Sequence, residues 1–478
     1  MGLLAANSDG SLSEGVAEDY VVSESGLVYT FHLRQDVFWV DSDEFERQCT
    51  AADFVYGFQR LFKPETAAPR AEEYYCIKNA KAINLGICPD PSFLGVRAVS
   101  DFVLEITLEQ PNPRFPSLLT EPPAMPCNEE FFLKSQGKYG LSAECTPSNG
   151  AFYVKSWAYD PYTITDHNNL ILRRNAKNNE SRQVFPSGLN FFIEEDGDFV
   201  ADFLGGTTSC VAVTDEEAAE INGNYGVEQF SNITTGLVFN TKFGLFKSEE
   251  FRRALALLAD RERVSAALPH YESAGAIVPA EVSMLDQSYR ALAGENLAPE
   301  YDAELARKLY ESVESELDGK LFEGARIICR DKAAADAVSY LMQEWQREFG
   351  FYCIVETLGE EQYRERLSGG DFEIAVVDLT GSFNSPAAYL ESFSKKGAEN
   401  YGKFADAEFE TLMNEAKTAS DLAESAELFA KAEQLLIDKA AFVPLYYKNE
   451  FFFTDSDYAD IVYNPFTKTV NFALAKKF

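Results

Sequence analysis

The first third of the chain contains two segments in which hydrophobic and polar residues alternate with a period of two. They are Leu27–Leu33 and Phe102–Leu108. This period is typical of a β-strand with one buried face, so both segments are predicted strands. Between them, Thr50 precedes large hydrophobic residues that recur at helical spacing and stop before Pro64. The pattern predicts a helix with Thr50 as its N-cap.

Helical spacing dominates much of the second half of the chain. Ser248 is a suitable N-cap, two glutamates follow it, and hydrophobic residues then share one face as far as Leu268. This pattern predicts one helix over 248–268. A second helix, ending at Gly350, and a third, Ser420–Ala440, are predicted in the same way.

Short apolar runs surround the helix that ends at Gly350. They predict strands at 326–329, 351–355 and 372–377, with a short helix between the last two. The order of strand, helix, strand, helix, strand is typical of an α/β lobe with a largely parallel sheet. Ligands bind such sheets beyond the carboxyl ends of the strands.

Composition narrows the classes of function. The chain has 478 residues, 46% of them hydrophobic and 25% charged, which is enough for two or three lobes with real cores. It contains no apolar run long enough to span a membrane. The formal charge of −35 would repel a phosphate backbone, so nucleic-acid binding is disfavoured.

Residues that could carry catalysis or bind metals are sparse. Only three histidines are present, His32, His167 and His270, and they lie in unrelated contexts. His32 is interpreted as a structural residue of the first predicted strand. The common nucleotide-binding, zinc-protease and serine-hydrolase motifs are absent. The acidic clusters 194–196 and 215–216 are interpreted as solvated surface. We therefore expect no catalytic site, no metal and no cofactor.

Eight cysteines are present, and none of them forms a C-x-x-C pair. This argues against zinc ribbons and thioredoxin-like redox motifs. The even number is compatible with disulfides, and it is equally compatible with unpaired core thiols in a reducing compartment. The sequence leaves these two alternatives open.

Nine segments of the chain resemble the extracellular solute-binding proteins of peptide-type ABC importers, the oligopeptide- and dipeptide-binding family (family 5). They occur in the order typical of that family over nearly the whole chain: Leu27–Trp39, Asp53–Leu61, Asn149–Trp157, Leu172–Asn175, Phe239–Lys242, Phe251–Leu255, Asp260–Arg261, Ser385–Leu390 and Val443–Tyr447.

The resemblance implies an α/β fold, the large two-lobed periplasmic-binding-protein-like fold of the class II type, with an extra α+β domain in the first lobe. By position, residues 1–13, 147–240 and 447–478 correspond to the first lobe, residues 14–146 to the extra domain packed on it, and residues 241–446 to the second lobe. The lobes would close on a ligand about crossings near Asn240 and Tyr446.

One position departs from the family pattern in a way that affects the ligand. Oligopeptide- and dipeptide-binding members carry an aspartate four residues before the proline of this segment, and it pairs with the α-ammonium of the ligand. Here Ser382 occupies that position, four residues before Pro386. Asp378 is the alternative carboxylate nearby. An unpaired buried ammonium is costly, so ordinary peptides with a free amino terminus are disfavoured, and capped peptides or another small polar solute are favoured.

The predicted function is capture of a peptide or peptide-like solute and its delivery to an ABC permease and its ATPase, without catalysis. The predicted ligand-binding residues lie at the end of one strand and on the opposite side of the hinge: Asp378, Thr380, Ser382, Phe383, Asn384, Thr235 and Gly236. The alternative is a scaffold repurposed for signalling or a chaperone-like role. An enzyme is the least favoured class.

The resemblance also implies a setting and an assembly state. A family member works at the extracellular face of the cell membrane or in the periplasm, as a monomer and in some bacteria as a lipoprotein. No export signal is recognisable at the start of this chain, so we expect either that the signal lies upstream of Met1 or that the protein is cytoplasmic. In an exported setting, disulfides such as Cys127–Cys145 or Cys76–Cys88 become plausible expectations.

Overall fold

The computed structural model describes most of the chain. The described residues are 1–7, 11–43, 45–112, 114–158, 168–178, 184–193, 197–268, 270–285, 287–294, 297–317, 325–395, 397, 399–419 and 421–478. His167 and the acidic cluster 194–196 lie outside this set.

The N-terminal third folds around one hydrophobic core. Its elements are β1 (Leu4–Ala6), β2 (Leu12–Glu14), β3 (Ala17–Val22), β4 (Val28–Leu33), β5 (Phe38–Val40), β6 (Glu46–Gln48), α1 (Ala51–Phe62), α2 (Ala80–Asn84), β7 (Val96–Ser100), β8 (Val103–Thr107), α3 (Phe115–Leu118) and α4 (Glu129–Lys134). An antiparallel sheet has the strand order β3, β4, β8, β7. Leu3 and Leu4 pack into the same core as the residues that follow them.

The strand and helix predictions for this third are confirmed. Every second side chain of β4 is buried, as the period of two requires. In α1, Thr50 and Asp53 form a reciprocal capping box, and Phe54 and Phe58 are buried. His32 lies on β4 beside Asp19 of β3 and is half exposed, which fits its interpretation as a strand residue.

The middle of the chain is richer in strands. Its elements are β9 (Phe152–Ala158), β10 (Asn169–Arg174), β11 (Gly188–Phe192), α5 (Phe199–Leu204), β12 (Cys210–Thr214), α6 (Asp215–Ala218) and β13 (Gly226–Phe239). The strands β11, β10 and β9 form an antiparallel sheet, and β12 and β13 belong to the largest sheet of the described chain.

The second half alternates helices and strands before a strand-rich C-terminus. Its elements are α7 (Glu249–Leu257), α8 (Arg261–Ala267), β14 (Glu272–Ser273), β15 (Ser283–Met284), β16 (Gln287–Ser288), α9 (Tyr289–Ala293), α10 (Ala303–Leu317), β17 (Ala325–Cys329), α11 (Lys332–Phe349), β18 (Cys353–Thr357), α12 (Glu360–Gly369), β19 (Ile374–Thr380), α13 (Pro386–Leu390), α14 (Ala407–Thr418), α15 (Leu422–Asp438), β20 (Val443–Thr454), β21 (Tyr458–Ala459), β22 (Val462–Asn464), β23 (Thr469–Asn471) and β24 (Lys476–Lys477).

One large sheet links the two halves of the molecule. Its strands follow the order β12, β20, β13, β19, β17, β18, with β14 also paired to β20. The pairs that β17 makes with β18 and β19 are parallel, as predicted. The pairs that β13 makes with β19 and β20 are antiparallel. The sheet as a whole is therefore mixed, which corrects the prediction of a largely parallel sheet.

The long strands β13 and β20 contribute to the large sheet along most of their length, and β20 supplies residues to separate hydrophobic cores. Phe453, near the end of β20, packs with the cluster that includes Val211, whereas Leu237 of β13 and Val443 of β20 pack in a core of the second half. The register between the two strands shifts at Phe230–Ile233 and again at Thr235–Gly236. Bulges of this kind bend strands, and both shifts lie before Asn240.

The predicted helix 248–268 is two helices, α7 and α8. The chain turns after Leu257, and the carboxylate of Asp260 accepts a hydrogen bond from the backbone N–H of Arg263 at 3.0 Å. Asp260 is thus the N-cap of a new helix. The hydrophobic pattern continues across the turn because both helices pack on the same core, and this continuity made the two helices look like one.

The cysteines are reduced throughout the fold. All eight cysteines are free thiols, so neither Cys127–Cys145 nor Cys76–Cys88 is bridged. Burial raises the pKa of Cys76 and of Cys210 to about 11. Within the described residues, no helix combines the length and the apolar character that crossing a membrane requires.

Candidate functional site

The predicted binding segment lies where β19 ends and α13 begins. Thr380 and Ser382 are exposed, whereas Phe383 and Asn384 are partly buried. The hydroxyl of Ser385 then accepts a hydrogen bond from the N–H of Ala387 and caps α13. Because β19 runs parallel to β17 and β18, this segment lies at the edge of the sheet where ligands of α/β folds bind.

The carboxylate of Asp378 is fully engaged within the protein. Its Oδ1 accepts a hydrogen bond from the hydroxyl of Thr235 at 2.6 Å. Its Oδ2 accepts from Nη2 of Arg330 at 2.6 Å and from Nζ of Lys448 at 3.1 Å. The side chain is only 16% exposed. Asp378 is thus held by three donors from three different segments of the chain.

Further acids extend this arrangement into what we call the Asp378 cluster, made of Asp378, Arg330, Lys448, Asp331 and Glu360. Nζ of Lys448 also donates to Asp331 at 3.2 Å, and Nε of Arg330 lies 3.9 Å from Glu360. Burial opposes the ionisation of Asp331, but Lys448 and the N–H of Ala334 outweigh it and lower the pKa of Asp331. The pKa of Arg330 is raised: burial opposes its charge, but Asp378 and Asp331 outweigh that effect.

A cavity of about 240 Å³ opens beside the Asp378 cluster. Each of the four carboxylates that line it, among the described residues, already has a partner inside the protein. The partners of Asp331, Glu360, Asp378 and Glu399 include Lys448, Arg364, Arg330 and Ser392, respectively. Among the described residues, three of these carboxylates have a cation within 4.0 Å, whereas Glu399 accepts only from a neutral hydroxyl, so its charge is not compensated.

Sequence reasoning missed Arg330 and Lys448. Arg330 directly follows β17, the strand predicted at 326–329, so the rule that ligands lie beyond the carboxyl ends of such strands could have singled it out. Lys448 lies within β20 and pairs with Ile233 of β13. No local pattern marks it, because its partners lie 70 and 117 residues away.

Thr235 and Gly236 lie on β13, in the large sheet. The side chain of Thr235 is fully buried, and its hydroxyl donates a hydrogen bond to the carboxylate of Asp378. A Cβ at Gly236 would lie 2.5 Å from the ring of Phe442 and 2.5 Å from the carbonyl oxygen of Val443. Both positions support the sheet next to the Asp378 cluster, and their contact with a ligand stays a prediction.

One acidic residue interpreted as solvated has a structural role. Asp215 is buried, and its carboxylate accepts hydrogen bonds from the backbone N–H of Asn449 at 2.8 Å and from its side-chain amide at 3.0 Å. The interpretation of 215–216 as solvated surface is therefore wrong for Asp215. Its partner is 234 residues away in sequence, so the sequence alone did not show this contact.

Phe383 and Asn384 reach a second cavity, which we call the interlobe cavity. It measures about 60 Å³ and lies where the N-terminal third, the second lobe and the C-terminal segment meet, next to Arg114, Phe383, Asn384 and Asn464. The guanidinium of Arg70 lies 5.7 Å from the centre of the Phe383 ring, and that of Arg114 lies 5.6 Å from the ring of Phe429. These cation–π contacts join the N-terminal third to the second lobe.

Comparison with known proteins identifies the fold. The family model of the bacterial extracellular solute-binding proteins, family 5 (middle region), matches residues 11–401. The substrate-binding domain of an oligopeptide ABC transporter from Bacillus anthracis strain Ames is 26% identical, with a TM-score of 0.74, covering 100% of this chain and 92% of that chain. The structure thus has the two-lobed α/β fold of such proteins.

Two curated relatives extend the comparison. The oligopeptide-binding protein OppA of Bacillus subtilis (strain 168) is 26% identical over 469 residues, covering 96% of this chain and 84% of OppA. The probable deoxycholate-binding periplasmic protein YgiS of Escherichia coli (strain K12) is 25% identical over 467 residues, covering 94% of this chain and 82% of YgiS. Because the family model spans most of the chain, this protein belongs to the bacterial extracellular solute-binding proteins of family 5.

Proposed function

We propose that this protein captures a peptide or peptide-like solute between its lobes and delivers it to an ABC permease and its ATPase. The similarity to OppA and to the Bacillus anthracis binding domain, which are named for oligopeptides, supports a peptide ligand. The protein acts without catalysis, as a monomer, in the periplasm or at the extracellular face of the cell membrane. The ligand selects the closed arrangement of the lobes by binding it more tightly than the open one.

The ligand that fits best is a peptide without a free amino terminus, such as an N-acylated peptide. The observation that carries this proposal is the state of the carboxylates around Ser382. Ser382 itself carries no charge, and Asp378, the alternative carboxylate, already accepts from Thr235, Arg330 and Lys448. An ammonium held at Ser382 would lose its hydration without gaining a counter-ion from Ser382 or Asp378, which is unfavourable by several kcal/mol. An acylated nitrogen avoids this cost.

Thermal unfolding with paired probes tests the proposal. The probes are acetyl-trialanine and trialanine, which differ in the charge of the amino terminus. A compound that binds only the native state raises the melting temperature, so we expect a larger rise with the acetylated probe. Native mass spectrometry of the protein purified without denaturation would in addition detect a co-purified ligand.

The competing function is a scaffold that has kept the fold and lost solute binding. It would show no co-purified mass and no stabilisation by either probe or by mixed peptides. A larger stabilisation by trialanine than by acetyl-trialanine would keep peptide capture and overturn the preference for a blocked amino terminus.

A further inference from the structure

Three donor groups that line the interlobe cavity have no acceptor among the described residues: the side-chain amides of Asn384 and Asn464 and the guanidinium of Arg114. The amide oxygen of Asn384 accepts from the N–H of Ser283 at 2.8 Å, and that of Asn464 accepts from the N–H groups of Phe466 and Thr467 at 3.0 and 3.1 Å. Each amide nitrogen is therefore the free end of its side chain. Within the described chain, neither amide nitrogen and no guanidinium nitrogen of Arg114 has a hydrogen-bond acceptor.

The charge of Arg114 is also uncompensated at short range. Among the described residues, no carboxylate oxygen lies within 4.0 Å of its guanidinium. The acids that act on it from farther away are Glu391 and Glu73, and each has its own cation: Lys417 at 2.7 Å and Arg70 at 2.7 Å. Glu121 also lines the cavity, and Arg70 lies 3.3 Å from its carboxylate.

We infer that Arg114, Asn384 and Asn464 form a subsite for a carboxylate group of the ligand. A carboxylate accepts several hydrogen bonds and a guanidinium donates two in parallel, so these donors match it in number and in charge. Burial lowers the pKa of Arg114, the effect expected of a cation that has lost water without gaining a counter-ion.

The size and place of the cavity are consistent with this assignment. A volume of about 60 Å³ exceeds what one water molecule needs. It suits a small charged group rather than an aromatic side chain. Because its walls come from the N-terminal third, the second lobe and the C-terminal segment, a bound carboxylate would hold the lobes together and favour closure.

This inference rests on the proposed peptide-binding function, and its test separates the two. Three acetylated probes are titrated by calorimetry: acetyl-trialanine, its carboxamide, and acetyl-alanyl-glutamyl-alanine amide. We expect the free acid to bind about tenfold tighter than its carboxamide, the magnitude typical of a charge-assisted hydrogen bond. The glutamyl probe shows whether a side-chain carboxylate can replace the terminal one.

Arg114→Gln should remove the preference for the carboxylate, and Arg97→Gln should keep it. Arg97 is a matched control because it is an exposed arginine of the same domain, paired with Glu105 at 2.6 Å. Equal affinities of the wild type for all three probes, or a preference that survives Arg114→Gln, would overturn the subsite and leave peptide capture intact. Failure of all three probes to bind the wild type would overturn the peptide function and the subsite with it.

Discussion

The Asp378 cluster and the interlobe cavity are two polar regions of one molecule that differ in how their charges are paired. In the cluster, Asp378 meets Arg330 and Lys448, and each cation meets a further acid. The interlobe cavity is lined by Arg114 and two side-chain amides whose nitrogens have no acceptor among the described residues. Both regions are partly buried and both lie next to the segment that ends β19.

The difference indicates what each region is for. A charge that is compensated within the protein stabilises the fold and has little left to offer a ligand. A partly exposed donor that no protein acceptor uses costs the free protein little, because water can reach it, and it stays available to an acceptor that a ligand supplies. Substitutions should therefore affect stability in the first region and binding in the second.

The largest expected effect is on stability, from Asp378→Asn. The change leaves Arg330 and Lys448 close together without their shared counter-ion. Removing one partner of a largely buried ion pair costs about 3 kcal/mol or more of unfolding free energy. Denaturant unfolding followed by circular dichroism measures the change.

Asp371→Asn is the matched control for that measurement. The carboxylate of Asp371 lies 3.3 Å from Arg366 but its side chain is 76% exposed, so its loss should change the unfolding free energy by less than about 1 kcal/mol. Equal effects of the two substitutions would show that the Asp378 cluster does not hold the fold.

A smaller effect, on binding, is expected from Ser382→Asp. The new carboxylate is exposed and has no cation assigned to it, unlike Asp378, so it can pair with a ligand ammonium. We expect trialanine to bind about tenfold tighter than to the wild type, the contribution of a charge-assisted hydrogen bond, and acetyl-trialanine to gain nothing. Ser382→Asn tests whether the gain is due to charge. A gain of the same size with Asn would contradict the explanation.

Much of the fold followed from the sequence because its signals are local. The period of two in β4 and the capping box of α1 involve neighbours in the chain, and both predictions are confirmed. The break between α7 and α8 was missed, because Asp260 is a suitable N-cap within a hydrophobic pattern that runs on across it.

The chemistry of the site was much harder to predict, because its contacts join distant segments. Asp378 was considered as a ligand for an ammonium, but its partners Thr235 and Lys448 lie 143 and 70 residues away. Arg114 has no motif of its own, and its place at the interlobe cavity depends on how three parts of the chain meet. Periodicity cannot report such contacts.

Lowering the pH should reduce the stabilisation that the Asp378 cluster contributes, by less than Asp378→Asn does. The pKa of Asp331 lies below its ordinary value of 3.8 in the folded protein. The folded state therefore binds this proton less readily than the unfolded state. The stabilisation that ionised Asp331 contributes is complete above the pKa that this residue has in the unfolded chain. It is lost as the pH falls through the lower pKa of Asp331 in the folded protein. Unfolding free energies measured between pH 5 and pH 3 should fall accordingly.

Asp331→Asn isolates that contribution. Oδ1 of Asp331 accepts from the N–H of Ala334 at 2.7 Å and caps α11, and asparagine caps helices equally well. The variant therefore loses the charge and keeps the cap. Its deficit in unfolding free energy relative to the wild type should shrink as the pH is lowered. A deficit that stays constant would assign the effect to capping or packing.

The smallest expected change in stability comes from Arg114→Gln. A small change would support the view that the Asp378 cluster stabilises the fold whereas the interlobe cavity serves binding. The substitution removes a cation–π contact with Phe429, which is weakly stabilising. It also removes a partly dehydrated charge without a counter-ion, which is destabilising. The two effects oppose each other, so the unfolding free energy should change by less than about 0.5 kcal/mol. A loss of unfolding free energy as large as that of Asp378→Asn would show that Arg114 stabilises the fold. It would contradict the assignment of Arg114 to a ligand-binding role in the interlobe cavity.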